Sequence, residues 1–334
     1  MKILAIGADL ILSLMLLLPT SLSAQDKKLS SLTVGYPATS GLFTPLWVAV
    51  DQGIFAKHGL DVKVTYIRGN RVMMSALIAG EIQLYQGAPE TLIYFASGGG
   101  DGLFIASQYN YVGNYVLMSD PGITRIEELR GKRIVAGIAT PTYRYMVKIL
   151  EQAGIRKEDV TFIEFGTSGQ AERTLAVLKK QASATILSPP NSYAAEKQGL
   201  RRLLALRDVK IKELLVVTGT RRAFLREKKE TAEAFLRGYL EGLAFVRSHA
   251  DVSMNVIGKY TRQRDKEVLR KFYEELVVDL PRIPYIEETS LRATLEGIQT
   301  LDRGSINLDP KTLYDNSLLQ GLQNSGFVNK IDPR

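Results

Sequence analysis

The chain has 334 residues, 45% hydrophobic and 23% charged, with a formal net charge of +8 and no cysteine. It is long enough for two domains with ordinary cores, and the missing cysteine excludes disulfides, thiolate metal sites, cysteine nucleophiles and a lipid-modified cysteine anchor. The basic surplus is scattered over short runs, Arg201-Arg202, Arg221-Arg222 and Arg226 to Lys229, without a nucleic-acid-binding motif. It reads as a solvated basic face, and no nucleic-acid partner is expected.

Residues 1–23 read as a cleaved signal peptide. Lys2 gives the positive start, Leu10 to Leu18 the apolar stretch, and Pro19 to Ala24 the small, polar end. Ser21 and Ser23 satisfy the small-residue rule for cleavage after Ser23, whereas cleavage after Ala24 would put Leu22 at a less favoured position. Asp9 interrupts the apolar run and leaves a short stretch for a membrane span; the alternative reading, an uncleaved anchor, would leave the same domain outside the cytoplasm. The expected location is the periplasm of a Gram-negative cell.

The mature chain opens on a strand, Leu32 to Tyr36, stopped by Pro37. A loop from Ala38 to Thr44 leads to Pro45, which favours a first helical turn and precedes apolar residues at helical spacing. Gly53 and Gly59 punctuate the entry to a second strand, Val62 to Ile67. A helix, a strand ending at Leu84-Tyr85, a helix over Thr91 to Ala96 and a strand over Leu103 to Ser107 follow. Tyr115 to Met118 is extended and ends in the Asp120-Pro-Gly turn. A second α/β series then starts with a helix at Arg125 to Leu129 and a strand at Arg133 to Ala136. Beyond the extended Leu214 to Val217 the pattern is helical. Thr231 to Ser248 carries Ala232, Phe235, Leu236, Tyr239, Leu243 and Val246 on one face, as core packing requires.

Part of the pattern is written twice. The block from Gly59 through VKVTYIRGN to MMSALIAGEIQLYQGAPE is answered by the block from Gly154 through VTFIEFGTSGQ to RTLAVLKKQASATILSPPN. Each reads as strand, turn, helix, strand and a proline-bearing loop. Leu77 to Pro89 and Leu178 to Pro190 have the same spacing. Two similar halves imply two lobes facing each other across a cleft, with one proline-bearing loop from each lobe set opposite the other.

Several phrases together resemble the extracytoplasmic solute-binding proteins of ABC importers, in the branch that includes sulfonate, taurine, nitrate and thiamine-pyrimidine-precursor binders. They are Pro45 to Phe55 (PLWVAVDQGIF), Lys57 to Val62 (KHGLDV), Ala76 to Gly80 (ALIAG), Gly122 to Ile134 (GITRIEELRGKRI), and Asp315 to Leu319 with Ser325 to Phe327. The chain departs from this pattern at Glu81-Ile-Gln83 and Ala182-Ser-Ala184, where an acidic residue is usual. The resemblance implies an α/β, two-lobed periplasmic-binding-protein fold, each lobe a mostly parallel sheet with flanking helices, joined by two crossing strands. Lobe 1 would comprise 30–114 and 218–334, lobe 2 119–213, and the crossings 115–118 and 214–217. It further implies a small-molecule solute and an ABC permease as partners, hinge closure on the ligand, and a monomer.

Ligands of doubly wound sheets bind beyond the carboxyl ends of the strands, where loops feed helix N-termini. The loops in question are 38–43, 69–71, 86–90 and 108–110 in the first lobe, and 139–144, 166–170 and 188–191 in the second. Candidate ligand-binding residues are therefore Thr39, Ser40, Arg71, Gly87, Glu90, Asn110, Thr140, Thr142, Ser188 and Asn191, with Trp47, Tyr109 and Tyr143 as stacking or apolar walls. Thr140-Pro-Thr142 equally reads as a helix cap, Trp47 as core, and Arg71 and Arg144 each as a surface charge. Glu90 in a pocket would oppose an anion and suggest a cationic or hydrogen-bonding ligand.

Catalysis finds little support. His58 and His249 are far apart, Ser97 to Gly100 lacks the lysine of a phosphate loop, and neither a nucleophile elbow nor a zinc helix motif occurs. The fungal pyrimidine synthases that share the implied fold use a cysteine-rich segment, which is missing here. No enzyme activity, cofactor or metal is expected. Two other readings fit the scaffold: a secreted enzyme acting on a pyrimidine or organic acid, and a ligand-sensing domain for a membrane receptor.

Overall fold

The computed structural model describes residues 29–137, 140–164, 169–302 and 306–333; the expected targeting segment lies outside them. The strands are β1 Ser30–Tyr36, β2 Leu60–Tyr66, β3 Leu84–Gly87, β4 Gly102–Ser107, β5 Val116–Ser119, β6 Arg133–Val135, β7 Thr161–Ile163, β8 Ala184–Leu187, β9 Arg201–Ala205 and β10 Val217–Arg221. The first helices are α1 Thr44–Asp51, α2 Ile54–Lys57, α3 Asn70–Ala79 and α4 Glu90–Ser97, followed by α5 Pro141–Gln152, α6 Gln170–Leu178, α7 Asn191–Lys197 and α8 Leu206–Val209. The C-terminal series is α9 Arg222–Glu227, α10 Lys229–Ser248, α11 Ala250–Thr261, α12 Lys266–Asp279, α13 Glu288–Asp302, α14 Ser317–Asn324 and α15 Phe327–Ile331. The helix expected at Arg125 to Leu129 is a single 3₁₀ turn, Ile126–Leu129. Among the described residues no helix is long and apolar enough to cross a membrane.

Two five-stranded sheets form, ordered β2-β1-β3-β10-β4 and β7-β6-β8-β5-β9. In the first, β1 is parallel to β2 and β3, while β10 runs antiparallel between β3 and β4. In the second, β6 is parallel to β7 and β8, while β5 runs antiparallel between β8 and β9. The two sheets are one figure drawn twice. Each receives its antiparallel strand from the far side of the chain: β5 follows β4 yet joins the second sheet, and β10 follows β9 yet joins the first. This is the two-lobed α/β architecture the sequence implies, with one reversed strand per sheet.

Side-chain chemistry explains the local choices. Every residue of β4 is buried, as a strand covered on both faces must be. Helix α10 buries Ala232, Phe235, Leu236, Tyr239, Leu243 and Val246; each large apolar side chain so buried contributes about 1.5–3 kcal/mol. Gly242 lets α10 lie directly on α1, because a Cβ there would sit 2.7 Å from Pro45 O. Helix α5 starts at Pro141 behind an extended Thr140, where the missing proline N–H costs nothing.

The duplicated block is real, but its register shifts by one residue from the alignment the sequence suggests. Gly80 N and Lys180 N both close the last helical turn, onto Leu77 O and Val177 O. Glu81 and Gln181 then bond to Ala76 O and Ala176 O, and Gln83 and Ser183 to Thr33 O and Arg133 O in the neighbouring strands. Leu77 therefore matches Val177, not Leu178. Burial agrees: Leu77 and Val177 are 2% and 1% exposed, Leu178 is 36% exposed. In the same register Pro89 matches Pro189, and Pro190 is an extra residue before α7.

Candidate functional site

The carboxyl ends of β1, β3 and β8 bring the two lobes into contact. Ser40 follows β1, caps the 3₁₀ turn Gly41–Phe43 and meets Ser188 across the lobe boundary, Oγ to Oγ at 2.8 Å. Gln170, the first residue of α6, holds Ser188 on both sides: its Nε2 donates to Ser188 Oγ at 2.8 Å and its Oε1 accepts from Ser188 N at 2.6 Å. Beside them Gly41 N donates to Pro189 O at 3.3 Å, and Asn191 Nδ2 donates to Thr39 O at 3.2 Å. At the rim Arg68 Nη2 donates to Glu172 Oε1 at 2.8 Å.

The proline-bearing loops find their direct partners in other loops of the opposite lobe. Ser188 to Asn191 closes on Thr39 to Gly41, whereas Glu90, the first residue of α4, closes on Arg144 of α5. Arg144 is 5% exposed and is no surface charge. Its Nε and Nη2 donate to Glu213 Oε2 at 3.0 and 2.6 Å, and its Nη1 donates to Glu90 Oε1. Lys148, one helical turn further along α5, donates to Glu213 Oε1 at 3.1 Å. Glu90 and Glu213 are 3% and 0% exposed. Glu90 Oε2 is buried without a hydrogen-bond partner among the described residues.

Burial opposes the charge on Arg144, but Glu90, Tyr145 and Glu213 outweigh it and hold the guanidinium above its ordinary pKa. Arg173, on the first turns of α6, is also buried and donates Nη2 to Ile186 O at 3.2 Å. There burial prevails, and its pKa falls below the usual value. Tyr115 lies between these groups; burial pushes its phenol up to about 12, with Arg173 and Arg144 pulling down and Glu90 pushing up. The arrangement is a low-dielectric floor of alternating charges, where each hydrogen bond counts for more than it would in water.

The remaining candidates are placed as follows. Thr140 Oγ1 donates to Gly137 O at 2.7 Å and lies 2.7 Å from Thr142 Oγ1, so the two hydroxyls share the start of α5. Tyr143 packs edge-on against Phe162 at 4.7 Å. Gly87 ends β3 beside Pro37; a Cβ there would meet Pro37 Cγ at 3.2 Å. Asn110 donates to Tyr285 O at 2.8 Å and accepts from Glu287 N at 3.1 Å, tying down the segment before α13. Trp47 is fully buried, stacked on Tyr260 at 4.6 Å and edge-on to Tyr36 at 5.6 Å, so its ring is core rather than a wall. Tyr109 is likewise core, 1% exposed. Arg71 lies in the first turn of α3, its side chain outside the described residues, as are Ala139 and Gly166 to Ser168. Sequence reasoning missed Glu213. The available signal is an acid standing at the entry of the apolar run Leu214-Leu-Val-Val217.

Concavities of about 270 and 410 Å³ lie elsewhere: one between α7 and α12, lined by Tyr193, Lys197 and Lys271, and one beside β7, lined by Arg133 and Glu164. Helix α12 also bridges the lobes, through Lys197 to Asp265 at 2.8 Å and Arg207 to Asp279 at 3.1 Å. Among the described residues no group of His, Asp or Glu could hold a metal ion.

A family model described as NMT1/THI5 like matches residues 41–252. A search of curated proteins finds no match. Among solved structures, a protein of Bordetella bronchiseptica RB50 is similar with a TM-score of 0.75 and 18% identity, over 92% of this chain and 99% of that one. The ligand-binding component of an ABC-type import system from Staphylococcus aureus gives 0.70 and 16%, over 87% and 98%. The periplasmic aliphatic sulphonate binding protein SsuA from Escherichia coli gives 0.66 and 17%, over 82% and 91%. At these identities the likeness is one of fold.

Proposed function

This chain belongs to the NMT1/THI5-like family, and from that premise we propose that it is an extracytoplasmic solute-binding protein. It captures a small organic or anionic solute between its two lobes and delivers it to an ABC transporter permease. The lobes, 30–114 with 218–334 and 119–213, move about the crossings at 115–118 and 214–217; since Val116 to Met118 belong to β5 of the second sheet and Val217 to β10 of the first, the hinge falls just before each of these strands. The observation that carries this reading is the meeting of polar loop residues from both lobes, Ser40 with Ser188 and Glu90 with Arg144, at the strand ends where this architecture binds ligands. The ABC-import and sulphonate-binding proteins of similar fold support it.

Native mass spectrometry of the periplasmic protein tests it. The expected spectrum carries an added small mass that is lost on denaturation. A thermal-shift panel of sulfonates, nitrate, pyrimidines and small carboxylates should then find stabilisation, about 2.7 kcal/mol once the solute is at a hundred times its dissociation constant. A protein with no co-purified mass and no stabilising solute would sink the proposal.

A further inference from the structure

Arg144 offers two edges to an anion, as a planar guanidinium does. The Nε and Nη2 edge is spent on Glu213, which comes from the segment just before the second crossing, and Lys148 fixes the other oxygen of that carboxylate. The Nη1 atom points towards the first lobe. What meets it there is Glu90 Oε1, delivered by the first turn of α4. Both faces of the buried cation thus already carry a protein carboxylate. The second Glu90 oxygen, Oε2, is buried and accepts from no described group, although buried acceptors are nearly always paired.

Resting on the solute-binding reading above, we propose that Glu90 sets the charge class of the solute. It occupies the Arg144 edge that a free anion would need, so simple anions such as sulfonates and nitrate are excluded. The solute is an organic molecule that presents an N–H donor, as an amine, an amide or an amino-substituted ring, to Glu90 Oε2. An anion entering beside Arg144 meets the negative charge of Glu90 at once and that of Glu213 behind it. A donor meets an acceptor whose charge Arg144 already balances, and it satisfies an oxygen that is otherwise buried alone.

The test uses the full mature chain, methanesulfonate and nitrate as probe anions, and chloride at equal ionic strength as control. Wild type should bind neither probe. Glu90→Gln keeps the side chain's shape and removes its charge, and should gain about tenfold or more in methanesulfonate affinity by calorimetry. Glu90→Asp, shorter by one methylene, should gain less and guards against a Gln variant that does not fold. Adding Arg144→Gln to Glu90→Gln should abolish the gain. The exact mass of any solute co-purified with wild type should require nitrogen, and Glu90→Gln should lose that solute. The inference is overturned if wild type binds methanesulfonate as tightly as Glu90→Gln, or if the co-purified solute contains no nitrogen. Either result leaves the solute-binding reading standing. Absence of any co-purified or probe binding in wild type and variants removes both.

Discussion

Glu213 is the residue on which the polar floor depends. It is fully buried and accepts from Arg144 Nε and Nη2 and from Lys148. Removing it leaves Arg144 with Glu90 as its one counter-charge among the described residues and strips Nε and Nη2 of their acceptor in low dielectric; breaking a buried pair typically costs about 3–5 kcal/mol, and the surviving partner puts this site at the lower end. Glu213→Ala should lower the urea midpoint accordingly, whereas Lys148→Met, whose ammonium is partly exposed, should cost far less. A loss below about 1 kcal/mol for Glu213→Ala would place the pair among ordinary exposed bridges. Trp47, the single tryptophan, is worth about 3–5 kcal/mol on truncation to alanine by its burial alone, again read from the denaturation midpoint. Neither role is written in local sequence. Arg144 stands on an amphipathic helix like any exposed arginine; its partners lie 54 and 69 residues away. Trp47 was ambiguous between core and wall because an aromatic at a helical core position suits both.

Elements were more legible than residues. The helix over 229–248 follows from apolar spacing, and the strand–helix–strand block repeats openly. What misled was identity: matching Leu with Leu and Pro with Pro put the copies one residue out of step, where hydrogen bonding and burial match Leu77 with Val177. The position of β10 between β3 and β4 was hidden as well, since strand order is set by contacts far apart in the chain. One junction shows how such a strand is held. Asp101, before β4, accepts from Arg221 Nε at 2.8 Å and from Ala223 N at 3.1 Å, capping the start of α9. Burial alone would raise its pKa; Arg221 and the Ala223 N–H outweigh burial and bring it below the ordinary carboxylate value. A depressed carboxylate contributes stability above its unfolded pKa, near 4, and loses it as pH falls through the folded value. Asp101→Asn keeps an acceptor for Ala223 N but loses the charge facing the part-exposed Arg221, so it should cost about 0.5 kcal/mol at neutral pH, and the gap to wild type should shrink below about pH 4 in acid titrations of stability.

At the scale of the molecule, one apolar core runs through residues of both lobes, and several polar contacts cross the boundary at the strand ends. Ser40 with Ser188 and Asn191 with Thr39 O are neutral hydrogen bonds, worth about 1 kcal/mol each. The combined Ser40→Ala and Asn191→Ala variant should separate the lobes more readily, seen as a larger radius of gyration by small-angle scattering without solute. The Lys197–Asp265 pair between the start of α12 and the second lobe is exposed, so added salt should act in the same direction. An unchanged radius under both treatments would mean that the crossings, not these contacts, fix the spacing.

The exchange of β5 and β10 between the sheets also orders events during synthesis. The second sheet draws all its strands from one stretch, 116–205, and needs nothing made later. The first sheet has its central slot empty until residues 217–221 arrive, long after β3 and β4 that flank it. The lobe begun first is thus the lobe finished last, and it leaves two strand edges open until then. Pulse-labelled hydrogen exchange on refolding should find β8 protected before β3.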